Sequence, residues 1–542
     1  MSKTGATLVV SALKSVGVRT IFTLSGNQIM PIFDACIDAD IKLVHVRHEA
    51  AAVYMAEAWA QLNGDIGVAL IPAGPGFANG LSPLYSARAS ESPILLLSGD
   101  SPLHQDSMGA FQALDQVSIS KPLTKHSQRP QTVDEILPGL TKAIGIARSG
   151  RPGPVHLALP FDLLSAEVSD NVGDAIKLAQ RESNKPDTQV IEKIASGLES
   201  AGRPVILTGP ALSQTRAGAL ISDLQENLGM PVISMENPRG LKDPALGNLG
   251  EILEKADTVL FLGKAVDFTV NFGQPPAFHA ACQFFAIDPE QALLAQAQRA
   301  LANRLVTSHR ADADLAAIAL AQFRVHRTDK HQDWRQQVIN ACASRSYLSH
   351  LENFLAAIHP ATLCKSVQRA IDLSHDPVLI CDGGEFGQWT QAINSANRRI
   401  INGPAGAIGG GICYAVAAKI SHPESSVFVL MGDGTSGFHL SEFETAIRCG
   451  VPFVAVIGND SCWNAEYQIQ LREYGKRRLI ACELGETRYD QVVTQLGGYG
   501  EFVDDPEQLE GALRRATESQ LPACINVRIE GLPAPTVSSD NH

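Results

Sequence analysis

The residues best suited to chemistry follow two apolar segments in the last third of the chain. Segment 427–431 leads into Gly432-Asp433-Gly434-Thr435, and segment 451–457 leads into Gly458-Asn459-Asp460. Small residues let the backbone approach a phosphate, and the amides that follow can donate hydrogen bonds to it. Carboxylates are suitable ligands for a hard divalent cation that bridges such a phosphate. The pattern predicts a cation–phosphate site, although Gly-Asp-Gly-Thr is also ordinary turn and helix-cap chemistry.

The elements that must position these residues are buried strands. Short apolar strands alternate with helical stretches along the whole chain, which is typical of parallel sheets wrapped in helices. We therefore predict an α/β fold with three doubly wound parallel-sheet domains, at 1–168, 188–335 and 350–530. Ligands of such sheets bind beyond the carboxyl ends of the strands, where Asp433 and Asp460 are expected. The predicted strands are 20–24, 43–46, 67–71, 94–98, 155–159, 205–208, 232–234, 258–262, 284–287, 378–381, 427–431, 451–457 and 523–527.

The amino-acid composition indicates which classes of binding partner are unsuitable for this protein. The 542 residues carry a formal net charge of −13, which argues against nucleic acid or an anionic membrane surface as a partner. No segment reaches the roughly 18 apolar residues that a membrane-spanning helix needs. The ten cysteines are scattered without metal-binding spacing, as is usual in a reducing compartment. The prediction is a cytoplasmic protein that acts on small molecules.

The two strand ends, taken together, resemble the G-D-G…N-N motif of the thiamine-diphosphate-dependent decarboxylase and carboligase family. In that family the Asp and the second Asn bind Mg²⁺, together with a main-chain carbonyl two residues later. The resemblance thus implies thiamine diphosphate and Mg²⁺, or another divalent cation, as cofactors. It implies Asp433, Asp460 and the carbonyl of Cys462 as the metal ligands. Asp460 departs from the family pattern by placing a second carboxylate beside a diphosphate.

Two further requirements of that chemistry have candidates in the sequence. Arg47-His48-Glu49-Ala50-Ala51-Ala52 is similar to the R-H-E-A-A-A segment of the family, whose Glu hydrogen-bonds the aminopyrimidine ring of the cofactor. Glu49 would also be ordinary chemistry for the first turn of a helix. Ile408 matches the apolar residue that bends the cofactor. The resemblance also implies cofactor contacts from Gly74, Asn79, Gly384, Glu385, Phe386, Gly406, Gly432, Gly434, Thr435 and Trp463.

The reaction is indicated by residues near the predicted pyrimidine site. Segment 22–36 resembles benzaldehyde lyase, but the Ala-His of that enzyme is Asn27-Gln28 here, and Gln28 cannot carry a proton as His does. Gln112 matches a Gln that lies over the thiazolium ring in benzaldehyde lyase and in acetolactate-synthase-like carboligases. His48 is a further candidate for orienting the carbonyl, or else a structural histidine. The resemblance implies lyase or carboligase activity on 2-keto acids, aldehydes or 2-hydroxy ketones.

Several alternatives stay open at this point. A 2-hydroxyacyl-CoA or oxalyl-CoA lyase would need a nucleotide pocket in the middle domain, and a simple 2-keto acid decarboxylase shares every motif. The absence of FAD or ADP from the middle domain is favoured, because residues 190–340 contain no convincing flavin signature. A non-catalytic regulatory paralogue is disfavoured by Glu49. The family also implies a homodimer as the minimal unit and a homotetramer overall, with active sites between subunits.

Overall fold

The computed structural model describes residues 3–168, 175–176, 183–324, 329–345 and 357–535. Within these residues lie three sheets, and every pair of neighbouring strands in them is parallel. Helices flank each sheet, so the three α/β doubly wound units predicted from the sequence are confirmed. None of the described helices is long and apolar enough to cross a membrane.

The first unit contains a six-stranded sheet with the order β2-β1-β3-β4-β6-β5. Its central strands β3 and β4 are buried at every residue, which explains their continuous apolar sequence. The elements are α1 (Gly5–Ser15), β1 (Thr20–Thr23), α2 (Met30–Ala39), β2 (Lys42–His45), α3 (Glu49–Asn63), β3 (Gly67–Ile71), α4 (Pro75–Asn79), α5 (Leu81–Ala89), β4 (Ile94–Asp100), α6 (Gln116–Ser120), β5 (His126–Gln128), α7 (Ile136–Arg148), β6 (Val155–Pro160) and α8 (Phe161–Ser165).

The middle unit contains a five-stranded sheet with the order β11-β10-β9-β7-β8. Its elements are α9 (Thr188–Ser200), β7 (Pro204–Thr208), α10 (Gln214–Leu228), β8 (Val232–Ser234), α11 (Leu249–Lys255), β9 (Thr258–Leu262), β10 (Gln283–Asp288), α12 (Gln291–Leu301), β11 (Leu305–Arg310), α13 (Ala313–Ala321) and α14 (Asp329–Ala343). Trp334 and Val338 of α14 are buried in the core of this unit. Helix α14 therefore runs past the boundary expected at 335, while the boundary expected at 350 lies outside the described residues.

The third unit contains a six-stranded sheet with the order β13-β12-β14-β15-β17-β16. Strand β15 starts three residues later than predicted, after Pro452, which has no N–H to donate to a neighbouring strand. The elements are α15 (Pro360–Asp372), β12 (Val378–Cys381), α16 (Gly384–Ile393), β13 (Arg398–Ile401), α17 (Gly411–Ser421), β14 (Val427–Gly432), α18 (Asp433–Ser436), α19 (Glu442–Cys449), β15 (Val454–Asn459), α20 (Asn464–Tyr474), α21 (Tyr489–Leu496), β16 (Tyr499–Val503), α22 (Leu509–Glu518) and β17 (Ala523–Arg528).

The first and third units share one apolar core. Helix α3 packs along α17, and the buried cluster around them includes residues from both sheets. Helix α3 begins after His48, whose Nδ1 accepts the N–H of Ala50 at 3.1 Å, and ends at the left-handed residue Gly64. The packing buries Glu57 of α3, which accepts a hydrogen bond from the Tyr414 hydroxyl at 2.9 Å. The first turn of α3, which contains Glu49, is thereby held in a fixed place.

Candidate active site

The two predicted metal ligands lie side by side at one edge of the third sheet. Strands β14 and β15 are neighbours, and Gly432 is paired with Gly458, so the residues that follow them leave the sheet together. Asp433 begins helix α18 and is only 2% exposed, while Asp460 begins the loop that leads to α20. The carboxylates lie within hydrogen-bonding reach of each other, and both also face the N–H of Cys462.

The electrostatics of this pair favour a cation. Burial raises the pKa of Asp433, and burial together with the Asp433 charge raises the pKa of Asp460. Asp433 Oδ2 accepts no hydrogen bond from any described residue. A buried acceptor without a donor is costly, and a divalent ion between two carboxylates would satisfy it. The described residues contain no group of three or more His, Cys, Asp or Glu suited to a metal, so a backbone carbonyl such as that of Cys462 would have to complete this site.

A cavity of about 270 Å³ opens at this edge of the sheet. Glycines keep it open: a Cβ on Gly434 would lie 2.7 Å from the Trp463 ring, and one on Gly458 would lie 2.6 Å from the Phe386 ring. The structure brings a large group of the predicted cofactor and metal residues to its wall. These are Gly384, Glu385, Phe386, Gly406, Ile408, Gly432, Asp433, Gly434, Thr435, Asp460, Cys462 and Trp463.

Ile408 is held in the cavity wall by a carboxylate that the sequence motifs did not single out. The side chain of Asp382 accepts the N–H groups of Gly383 at 2.6 Å, Gly409 at 3.1 Å and Gly411 at 2.8 Å. Burial raises the pKa of Asp382 to about 6, against the effect of these donors. Segment 403–411 is therefore anchored directly after Ile408, and the isoleucine packs against Gly383.

Glu49 lies in a second group of polar residues, built by the first unit. It is the first residue of α3, is 8% exposed, and accepts a hydrogen bond from Asn79 Nδ2 at 2.9 Å. A Cβ on Gly76 would lie 2.9 Å from Glu49 Oε1, so this glycine leaves room for the carboxylate. The hydrogen bond from Asn79 fixes the orientation of this carboxyl group.

Gln28 and Gln112 belong to the same group. Gln28 Nε2 donates to Gln112 Oε1 at 2.7 Å, and Gln28 Oε1 has no donor among the described residues. Gly74 has a φ of 57°, and a Cβ there would lie 2.9 Å from the Cβ of Gln112. Gln116, which the sequence analysis did not single out, accepts the N–H of Gly74 at 3.3 Å and donates to the carbonyl of Gly99 at 2.9 Å. The loops that bear Gln28, Gly74 and Gln112 thus support one another.

Two of the predicted catalytic residues differ from this group. Asn27 is exposed, while its neighbour Gln28 is buried. His48 is exposed and caps helix α3 through Nδ1, with its ring 5.8 Å from the ring of His439. These contacts favour the structural interpretation of His48 that the sequence left open.

The two groups do not both line the metal cavity of one chain. All described residues that line the 270 Å³ cavity come from the middle and third units, and none of Gln28, Glu49, Gly74, Asn79 or Gln112 is among them. The lining also includes Pro238, Arg239, Gln388, Asn402, Asn464 and Glu466, which sequence reasoning missed. The sequence Asn237-Pro238-Arg239-Gly240 is typical of an ordinary turn. Only its position in the fold shows that it lines the cavity.

A larger cavity of about 600 Å³ lies between the first and middle units. Arg151 lines this cavity and donates hydrogen bonds to Glu91, to the carbonyl of Gly263 at 2.9 Å and to Asp288 at 2.5 Å. The strand ends of the middle sheet face this cavity, where a nucleotide would be expected in such a fold. The absence of FAD or ADP stays a prediction.

Comparisons with known proteins match the first and third units of the chain. Residues 3–119 match the family described as thiamine pyrophosphate enzyme, N-terminal TPP binding domain, and residues 382–527 match the corresponding C-terminal TPP binding domain. The chain is 32% identical over 531 residues to a probable acetolactate synthase of Mycobacterium bovis, which covers 96% of this chain and 94% of the relative. It is 29% identical over 584 residues to 2-hydroxyacyl-CoA lyase 2 of Caenorhabditis elegans, covering 97% and 89%. The zebrafish protein of the same name is 30% identical over 564 residues, covering 94% and 89%.

Proposed function

The chain belongs to the thiamine-diphosphate (thiamine pyrophosphate) enzyme family, and from that premise we propose that it breaks and forms carbon–carbon bonds next to carbonyl groups. It is a thiamine-diphosphate-dependent lyase or carboligase. The proposed substrates are 2-keto acids, aldehydes and 2-hydroxy ketones. The single observation that carries the site assignment is the pair of adjacent carboxylates after β14 and β15, the buried Asp433 and the half-buried Asp460, with Asp433 Oδ2 left without a donor among the described residues.

The third unit is proposed to hold the metal and the diphosphate. Asp433, Asp460 and the carbonyl of Cys462 would bind Mg²⁺, and the amides after Gly432 would donate to phosphate oxygens. The glycine-lined cavity supports this role because a side chain at Gly434 would collide with Trp463. When bound, thiamine diphosphate supplies a nucleophilic carbon and an electron sink. Ile408, anchored through Asp382, would fix the conformation in which the cofactor binds.

The first unit is proposed to supply the acid–base group. The carboxylate of Glu49 would hold a proton shared with the cofactor's ring nitrogen, and Asn79 would keep the carboxylate in position. Since no described residue of the first unit lines the metal cavity of its own chain, Glu49 would serve the cavity of a partner subunit. A homodimer is thus the proposed minimal unit, and a homotetramer the proposed assembly.

The two glutamines are proposed to orient the substrate. Gln28 Oε1 has no donor among the described residues, and the Gln28–Gln112 hydrogen bond fixes both amides. Amides can direct a carbonyl oxygen or a hydroxyl but do not exchange protons near neutral pH. Proton transfer to the substrate would therefore depend on Glu49 or on water. A cytoplasmic location remains a prediction from the cysteine content.

The test combines cofactor binding with product analysis. Protein loaded with thiamine diphosphate and Mg²⁺ is incubated with pyruvate, glyoxylate, benzaldehyde and acyl-CoA thioesters, and products are identified by mass spectrometry. We expect at least one condensation or cleavage product. Glu49→Gln should lower turnover by about 10²- to 10⁴-fold, the usual contribution of a general acid or base. Glu254→Gln, at an exposed position of α11, is the matched control.

Two outcomes would count against the proposal. Unchanged turnover in Glu49→Gln would contradict the catalytic role of Glu49. Cofactor binding without any product from wild-type protein would instead favour a regulatory, non-catalytic role for the chain.

A further inference from the structure

Arg239 enters the metal cavity from a rigid loop of the middle unit. The side-chain amide of Asn237 donates to Gln391 of α16, and Asn237 Oδ1 accepts the N–H of Arg239 at 2.9 Å. Gly240, with a φ of 55°, packs so closely that a Cβ would lie 1.9 Å from the carbonyl of Thr269. The loop is therefore fixed on both sides of Arg239, and the Arg239 side chain lies in the cavity wall.

Arg239 is the only basic residue among the described residues of the cavity wall. The wall also contains four carboxylates, those of Glu385, Asp433, Asp460 and Glu466. No described carboxylate lies within ion-pair distance of the Arg239 guanidinium. Among the described residues, its side chain donates one hydrogen bond, a long one of 3.5 Å to the carbonyl of Pro535. Burial lowers the pKa of Arg239, although the charges of Glu385 and Asp243 oppose that effect. A half-buried guanidinium with so few acceptors is available to an anion.

The next question is which anionic group of the substrate Arg239 would bind. A Cβ on Gly406 would lie 4.0 Å from Pro238, so the loop borders the segment that carries Ile408. A carboxylate that leaves as CO₂ is a poor partner, because an arginine would stabilise it before the reaction and raise the barrier. An anionic group that stays on the substrate has no such disadvantage.

We propose that Arg239 determines specificity by binding an anionic group of the substrate that lies away from the reacting bond. The proposal rests on the function proposed above and deepens it. A guanidinium pairs in the same way with a phosphate and with a carboxylate. The group is therefore either a phosphate of an acyl-CoA thioester or the distal carboxylate of a dicarboxylic 2-keto acid.

The first test measures binding directly. Protein loaded with thiamine diphosphate and Mg²⁺ is titrated in a calorimeter with coenzyme A and, separately, with 2-oxoglutarate. We expect wild-type protein to bind one of the two, which identifies the source of the anion. Arg239→Gln should weaken that binding by about 10- to 100-fold, the usual effect of losing a charge-assisted hydrogen bond. Arg239→Lys should restore part of it, and Arg299→Gln, at an exposed position of α12, is the matched control.

The second test uses turnover. The ratio of kcat/KM for the anionic donor to that for a neutral 2-hydroxy ketone should fall at least about 10-fold in Arg239→Gln. The proposal is overturned if wild-type protein binds neither probe, or if both donors are affected equally. A rise in the Kd of thiamine diphosphate that accounts for the loss would also overturn it, by assigning Arg239 to the cofactor. Probe binding without any turnover would refute the proposed function while leaving the role of Arg239 intact.

Discussion

A mixture of two inactive variants should recover activity if Glu49 and Asp433 of different chains form one site. Glu49→Gln removes the acid–base group of the first unit, and Asp433→Ala removes a metal ligand of the third unit. Each variant alone should lose activity by about 10²-fold or more, because every site of its dimer carries the lesion. The separation of the two polar groups within one chain is the structural basis of this expectation.

The size of the recovery follows from the symmetry of a dimer. After unfolding and joint refolding of equal amounts, half of the dimers should be mixed, and each mixed dimer has one site with neither substitution. The mixture should therefore reach about one quarter of wild-type activity per total protein. The assay is the initial rate on the best donor, with mixed dimers isolated by two different affinity tags.

The control mixture pairs Asp433→Ala with Asp460→Ala. Both lesions lie in the third unit, so every site of a mixed dimer carries one of them and no recovery is expected. Activity that stays at the level of the separate variants in the first mixture, with mixed dimers present, would refute a site shared between chains.

Three further predictions follow from single side chains. Burial raises the pKa of Glu57 from 4.5 to about 7, so its contribution to stability is fully present below pH 4.5 and is lost as the pH rises to 7. The loss amounts to about 3 kcal/mol. Glu57→Gln should therefore gain in melting temperature relative to wild type between pH 5 and pH 8, and parallel pH profiles would contradict this. Asp460→Asn should retain thiamine diphosphate and Mg²⁺ in calorimetry, because an amide oxygen is also a hard ligand; loss of metal and activity would show that the second carboxylate is needed. Ile408→Ala should lower kcat by about 10²-fold through misplacement of the cofactor, and an unaltered kcat would show that Ile408 does not set the cofactor's conformation.

Strand prediction found every central strand but missed four of the six edge strands; of the edge strands, only β2 and β8 were predicted. All four strands that the sequence analysis did not predict, β5, β11, β13 and β16, are edge strands. Strand β5 has the polar sequence His-Ser-Gln. In strand β11 the first residue is buried, and exposed and half-exposed residues alternate after it. An edge strand has one side open to solvent, so it need not be a continuous apolar run. The central strands are buried on both faces, and their sequences show it.

The residues of the candidate site also fall into those that the sequence could predict and those that it could not. Asp433, Asp460 and Glu49 lie directly after predicted strands, so their position could be deduced from the order of elements. Arg239, in a loop, and Gln116, at the start of the short helix α6, could not be found in this way, because each reaches its neighbours only through the packing of separate segments. The role of Asp382 could not be predicted either, because two of its three backbone donors, Gly409 and Gly411, depend on the path of segment 403–411.

The apolar core shared by the first and third units has a consequence for biosynthesis. Helix α3 leaves the ribosome early, whereas α17, which covers it, is made about 350 residues later. At bacterial or eukaryotic elongation rates this delay lasts roughly 20–70 s. During that interval the face of α3 that α17 covers has no partner from its own chain, although the opposite face packs on the first sheet, and the middle unit, with cores of its own, can fold in between. The nascent first unit is thus a natural client for a chaperone, and truncation before residue 411 should yield a product that aggregates.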